Sequence, residues 1–123
     1  MKLIELINEV DTNRPNRFSY EQKVRWLSEL DTNIFKNIIS KRENAEITDF
    51  SGYDEKTGKQ TELIVKAPYE RIYKFYLEAQ MEYENQEIAR FNNAMAMYNQ
   101  MYTEFVNDYC RNHKYISTQQ LIY

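Results

Sequence analysis

Cys110 and His113 are the residues of this chain that could carry nucleophilic chemistry; they lie three positions apart and are its only cysteine and only histidine. On a helix this spacing places both side chains on one face, where an imidazole can activate a thiol. Such a pair catalyses reactions only with a third group that orients the imidazole and with donors for an oxyanion. The sequence offers neither, so we predict that Cys110 is a structural thiol in a reducing compartment.

The acidic residues could offer a second kind of chemistry, because paired carboxylates act as general acid and base or hold a metal ion. Several cluster in one helical stretch: Glu78, Glu82, Glu84 and Glu87. Their pattern is typical of a solvated helix face. The only glycines are Gly52 and Gly58, so the chain has no phosphate-binding loop. We therefore expect no catalytic, cofactor-binding or metal-binding residues, and no enzymatic activity.

The charge distribution limits the classes of partner that the protein can be expected to bind. A net charge of −3 argues against non-specific nucleic-acid binding as the main task. One local basic concentration exists: Arg14, Arg17, Lys23 and Arg25. It could contact phosphates or an acidic protein patch, or form a solvated rim.

The length of 123 residues predicts one domain spanning residues 1–123. No apolar run approaches the length that a membrane-spanning helix requires, and Glu5 and Glu9 interrupt the first ten residues. We expect a soluble protein that is retained where it is made and has no membrane partner.

The clearest periodicity lies in residues 68–112, which contain no glycine. Apolar residues recur there at alternating spacings of three and four: Ile88, Phe91, Met95, Tyr98, Tyr102, Phe105 and Tyr109. This rhythm predicts a long helix with one apolar seam, beginning near Pro68. The polar residues 82–86 interrupt the pattern, so the stretch is either one bent helix or two helices that meet near residue 84. The seam is either core or an interface.

Two more helices are predicted in the first third of the chain. Apolar residues between Leu3 and Val10 have helical spacing, and Ser19 followed by Gln22 forms a capping-box pattern before a helix from about Tyr20 to Lys41. We predict that the long helix packs on this second helix. The expected contacts join Phe91, Met95, Tyr98 and Tyr102 to Leu27, Leu30 and Ile34.

Residues 46–66 change to short β-prone segments, with turn-forming residues at 54–58. They predict an inserted β-hairpin that packs on the helices, pairs with another subunit, or is mobile. The apolar tail at 114–123 either lies over its own domain or reaches a partner as an added strand. The expected fold class is therefore mostly α: a small helical bundle with a long C-terminal helix and an inserted β-hairpin.

Five segments together resemble small structural proteins of tailed phages and prophages. They are 6–10 (LINEV), 25–31 (RWLSELD), 68–80 (PYERIYKFYLEAQ), 87–93 (EIARFNN) and 105–111 (FVNDYCR). The resemblance implies a head–tail connector, or head-completion adaptor, of mostly helical fold that joins capsid to tail. The long final helix and the internal hairpin depart from the better-known adaptors.

The resemblance also implies a set of partners. The protein would form a homo-oligomeric ring of about twelve copies beneath the portal protein and would contact neighbouring tail and neck proteins. DNA would only pass through as the packaged genome. The location would be the head–tail interface of the virion, and the host cytoplasm during assembly.

A second hypothesis is a small helical regulatory or scaffolding protein that dimerises, or binds one partner, through the 88–109 seam. Under the first hypothesis the hairpin and the tail bind the partners. The predicted partner-binding residues are Tyr53, Lys56, Leu63, Val65, Tyr115, Ile116, Leu121, Ile122 and Tyr123.

Overall fold

The computed structural model describes residues 1–53 and 60–115. Its helices are α1 (Leu3–Asn13), α2 (Tyr20–Asn37), a short 3-10 helix (Ile39–Lys41), α3 (Arg71–Glu84) and α4 (Ile88–Asn112). The fold is mostly α, as predicted. The described ranges contain no β-strand, only two isolated antiparallel bridges, Lys2 with Glu62 and Arg42 with Tyr115.

The two N-terminal helices follow the sequence pattern. The apolar face of α1 is buried, at Leu3, Leu6, Ile7 and Val10. Helix α2 begins at the predicted cap, where the Gln22 N–H donates to Ser19 Oγ at 3.1 Å. It ends at Asn37 rather than at Lys41, because the chain tightens there into the 3-10 helix.

The C-terminal stretch forms two helices rather than one bent helix. Helix α3 ends at Glu84, and α4 begins at Ile88. Between them Gln86 adopts a left-handed backbone conformation with φ of 60°, which stops the helical hydrogen-bond ladder and turns the chain. Three aromatic pairs join α3 and the residues just before it to α4: Tyr69 with Phe105, Tyr76 with Tyr98, and Tyr83 with Phe91. From one pair to the next, the residue number of the first ring rises while that of its partner on α4 falls, so the two helices are antiparallel.

The aromatic pairs recur every seven residues on both helices, with ring centroids 5.9, 5.5 and 5.6 Å apart. Seven residues are close to two helical turns, so the rings lie one above another along a single seam. Each pair stabilises the packing of α4 against α3 by about 0.5–1.5 kcal/mol, in addition to the free energy gained from the apolar area that it buries.

The predicted packing of α4 on α2 is wrong. Helix α3 is the central helix and runs beside α1, α2 and α4, whereas the α4 backbone runs beside α3 alone among the described helices. Phe91 packs on Tyr83 at the turn between α3 and α4. Helix α4 is therefore an outer helix, and only its Ala94 and Phe105 are buried.

Residues 46–53 and 60–66 do not form the predicted strands. Leu63, Ile64 and Val65 enter the core as an irregular segment that bends at Ile64 and Val65, and they are between 0% and 9% exposed. The N-terminus holds one end of this segment: the Leu3 N–H donates to Thr61 O at 2.8 Å, and the Leu63 N–H donates to Met1 O at 3.0 Å. The predicted hairpin tip, at 54–58, lies outside the described residues.

Gly52 lets the chain approach α2 closely. Its φ is +98°, and a Cβ added there would lie 2.5 Å from Ser28 Oγ. The same hydroxyl accepts a hydrogen bond from the Tyr53 N–H at 2.9 Å.

We expect Gly52→Ala to destabilise the fold by roughly 1–3 kcal/mol, because alanine is strained at this φ and its methyl group displaces Ser28. Urea denaturation measures the loss. Ser51→Ala, at the exposed neighbouring position, is the control and should change stability little. Equal stability of the two variants would contradict this account of Gly52.

Candidate protein-interaction surface

The outward side of α4 differs from an ordinary solvated helix face. Residues 91–103 (FNNAMAMYNQMYT) contain no charged side chain, although 28% of the chain's residues are charged. We call its exposed residues the α4 outer face: Asn92, Asn93, Ala96, Met97, Asn99, Gln100 and Thr103. The face is about 18 Å long at 1.5 Å per residue. Uncharged side chains lose less hydration energy on burial than charged ones, so this face is suited to contact with another protein.

A cleft of about 640 Å³ opens where α3 turns into α4. We call it the turn cleft. Its walls include Glu82, Tyr83, Glu84, Glu87, Ile88 and Phe91. Tyr83 is 64% exposed and Ile88 is 72% exposed. Large apolar side chains in this position mark a surface that a partner can cover.

The acidic wall of the turn cleft is fixed by α1. Arg14, at the end of α1, binds Glu82 Oε1 through Nη2 at 2.5 Å and lies 3.9 Å from Glu78 Oε2. Glu82 is only 4% exposed. Its Oε2 is buried and has no hydrogen-bond partner among the described residues. One guanidinium therefore faces two carboxylates, and Glu84 and Glu87 add exposed negative charge beside them.

A smaller cleft of about 210 Å³ lies near the C-terminal end of α4, beside Lys66, Asp108 and His113. The imidazole of His113 stacks on Tyr109 at 3.9 Å with an interplanar angle of 9°, and its Nδ1 is 3.0 Å from Tyr109 O. Cys110 is a half-buried free thiol. The structure thus places His113 against Tyr109.

Asp31 on α2 is a fully buried titratable group. The Tyr53 hydroxyl donates to Oδ2, and the Tyr73 hydroxyl lies 2.9 and 3.0 Å from the two carboxyl oxygens. Tyr73 also accepts the Val65 N–H at 2.8 Å. Burial raises the pKa of Asp31 to about 7, although hydrogen bonds from Tyr53, Tyr73 and the Ile64 backbone oppose that rise.

The Asp31 network is structural, because no substrate can reach a carboxyl group with no exposed surface. It joins α2, α3 and the buried segment at 63–65. Sequence reasoning did not select Asp31. The available signal was its position between Leu27 and Ile34, on the apolar face of α2.

The structure separates the predicted partner-binding residues into three groups. Tyr53, Leu63 and Val65 are at most 6% exposed, so their side chains serve this chain's own core and offer no surface to a partner in this fold. Tyr115 is exposed, with the Arg42 guanidinium 3.7 Å above its ring. The others lie outside the described residues: Lys56, Ile116, Leu121, Ile122 and Tyr123.

The described residues contain no group of three or more His, Cys, Asp or Glu side chains placed to hold a metal ion. None of their helices combines the length and apolar character needed to span a membrane.

Comparison with known proteins gave no relative: no family model, no curated protein and no solved structure matches this chain.

Proposed function

We propose that this protein is a non-enzymatic structural protein of a tailed phage, a head–tail connector that assembles as a ring on the portal and joins capsid to tail. The sequence resemblance over segments in both halves of the chain supports this class. The observation that carries the proposal is the α4 outer face, an exposed helix surface without charge between Arg90 and Glu104.

The physical reason is the cost of burial. A subunit in a ring covers part of its surface with neighbouring copies, and each unpaired charge buried there costs several kcal/mol. Amide, thioether and methyl groups avoid that cost, and the amides can form hydrogen bonds across the contact. Because each copy repeats the same contact, weak individual contacts combine into a stable assembly.

The exposed Tyr115 and the partner residues outside the described ranges are also part of this proposal. We assign Tyr115, Lys56, Ile116, Leu121, Ile122 and Tyr123 to contacts with the portal or with neck proteins. In this account DNA passes through the ring without specific recognition, and the mature protein resides in the virion.

The second candidate is a regulatory or scaffolding protein that dimerises. Its proposed 88–109 seam is occupied in part by α3, because Phe91, Tyr98 and Phe105 pair with aromatic rings of the same chain. A dimer would therefore use the α4 outer face instead. The same uncharged surface favours both candidates, and the state of assembly distinguishes them.

Disruption of the gene in the genome that encodes it tests the connector function. We expect DNA-filled heads and separate tails to accumulate in electron micrographs, and the gene supplied in trans to restore joined particles. Complete, infectious tailed particles in the absence of the protein would contradict the proposal.

A further inference from the structure

The turn cleft combines two properties that are rarely exposed together. Its apolar side presents Tyr83 and Ile88, 64% and 72% exposed, with the rings of Tyr83 and Phe91 5.6 Å apart. Exposed large apolar side chains are few in the described residues, and two of them meet here. A side chain that covered this surface would gain about 25 cal/mol for each Å² of apolar area removed from water.

The other side of the cleft is acidic and incompletely neutralised. Arg14 is committed to Glu82 Oε1, whereas the buried Oε2 has no hydrogen-bond partner among the described residues. Glu84 and Glu87 are exposed on the same cleft. Arg90, the nearest cation along α4, forms no ion pair with them in the described part of the chain. The cleft therefore presents a negative potential beside an apolar floor.

We propose that the turn cleft binds a segment of a partner protein that presents an arginine beside a bulky apolar side chain. The guanidinium matches carboxylates by two parallel hydrogen bonds and also stacks on aromatic faces, here those of Tyr83 and Phe91. The neighbouring apolar side chain covers Ile88. Nucleic acid and anionic membranes do not fit, because their phosphates would face the carboxylates.

A second copy of this chain matches the cleft less well. Two of its exposed arginines, Arg17 and Arg25, flank Phe18 and Trp26. Trp26 is 5% exposed, and Phe18 packs on it with ring centroids 5.4 Å apart. Arg71, also exposed, precedes the fully buried Ile72, and the exposed Arg90 belongs to the helix that forms the cleft. The segments around Arg17, Arg25 and Arg71 turn their large apolar side chains inward, which favours a different protein as the occupant. This inference holds whether or not the protein is a phage connector.

The test uses the full chain labelled with ¹⁵N and a capped hexapeptide in which arginine alternates with leucine and phenylalanine. We expect amide shifts concentrated at residues 82–92. The same peptide with citrulline, an uncharged isostere of arginine, should bind about tenfold more weakly or worse, a difference of about 1.4 kcal/mol.

Two double variants complete the experiment. Glu84→Gln with Glu87→Gln should weaken peptide binding about tenfold, whereas Glu21→Gln with Glu29→Gln, the same change of charge on exposed positions of α2, should leave it unchanged. Their amide spectra verify that both variants fold. No shifts at millimolar peptide, equal binding of the citrulline peptide, or equal binding by the Glu84/Glu87 variant would overturn the proposal. Shifts at 82–92 that grow with protein concentration alone would identify a second copy as the occupant and also overturn it.

Discussion

Asp31→Ala should destabilise the protein by about 3–5 kcal/mol, because it leaves several buried donors without an acceptor. The hydroxyls of Tyr53 and Tyr73 and the Ile64 backbone currently bond to this carboxyl group. Each unsatisfied buried group costs about 1–3 kcal/mol. Urea denaturation at about pH 4, where the contribution of Asp31 is fully present, measures the loss, and a loss below about 1 kcal/mol would show that the network contributes little.

The matched control, Asp31→Asn, keeps the shape and one acceptor, so its loss should be smaller. It also isolates the titration of Asp31. The folded pKa of about 7 lies above the model value of 3.8, so between these two values the folded chain holds a proton that the unfolded chain has released. The contribution of Asp31 is therefore fully present below about pH 4 and is lost as pH rises to about 7, with a slope of at most about 1.4 kcal/mol per pH unit.

The difference in unfolding free energy between wild type and Asp31→Asn should accordingly shrink as pH rises through this window. Other titrating groups, such as Glu62 and the N-terminal amine, affect both proteins alike and cancel. A difference that stays constant from pH 4 to pH 7 would contradict the raised pKa.

The sequence predicted the helices better than their arrangement. The Ser19 cap and the apolar faces of α1 and α2 are local signals, and they are confirmed. The polar residues 82–86 indicated an interruption of the helix, but no local signal showed that the chain reverses there, because Gln86 adopts a left-handed conformation that usually selects glycine or asparagine. A signal for the pairing was present in two separate stretches of the sequence. Tyr69, Tyr76 and Tyr83 are spaced seven residues apart, as are their partners on α4.

Residues 63–65 show a second limit of prediction from sequence. Leu63–Val65 has the composition of a strand, and local sequence cannot distinguish a strand from an irregular segment that is buried in the core. The deciding contact is Asp31, more than thirty positions earlier in the chain. The sequence analysis gave Asp31 no role, although its position on the apolar face of α2 indicated that its carboxyl group is buried.

The second large effect concerns assembly. Ala96→Glu places a charge at the centre of the α4 outer face, at an exposed helical position where it should change subunit stability by less than about 0.5 kcal/mol. In an assembled contact the same charge would be buried without a partner and would cost several kcal/mol, enough to weaken association by at least about a hundredfold. Asn33→Glu, which adds the same charge at an exposed position of α2, is the control and should assemble normally.

Sedimentation velocity of the purified subunit, with and without the portal protein of the same genome, tests the central claim most directly. We predict that the wild type and Asn33→Glu are monomeric alone and form a ring-sized complex with portal, whereas Ala96→Glu remains monomeric in both conditions. A wild-type dimer at every concentration, unaffected by portal, would contradict the connector account, as would an Ala96→Glu variant that assembles like the wild type.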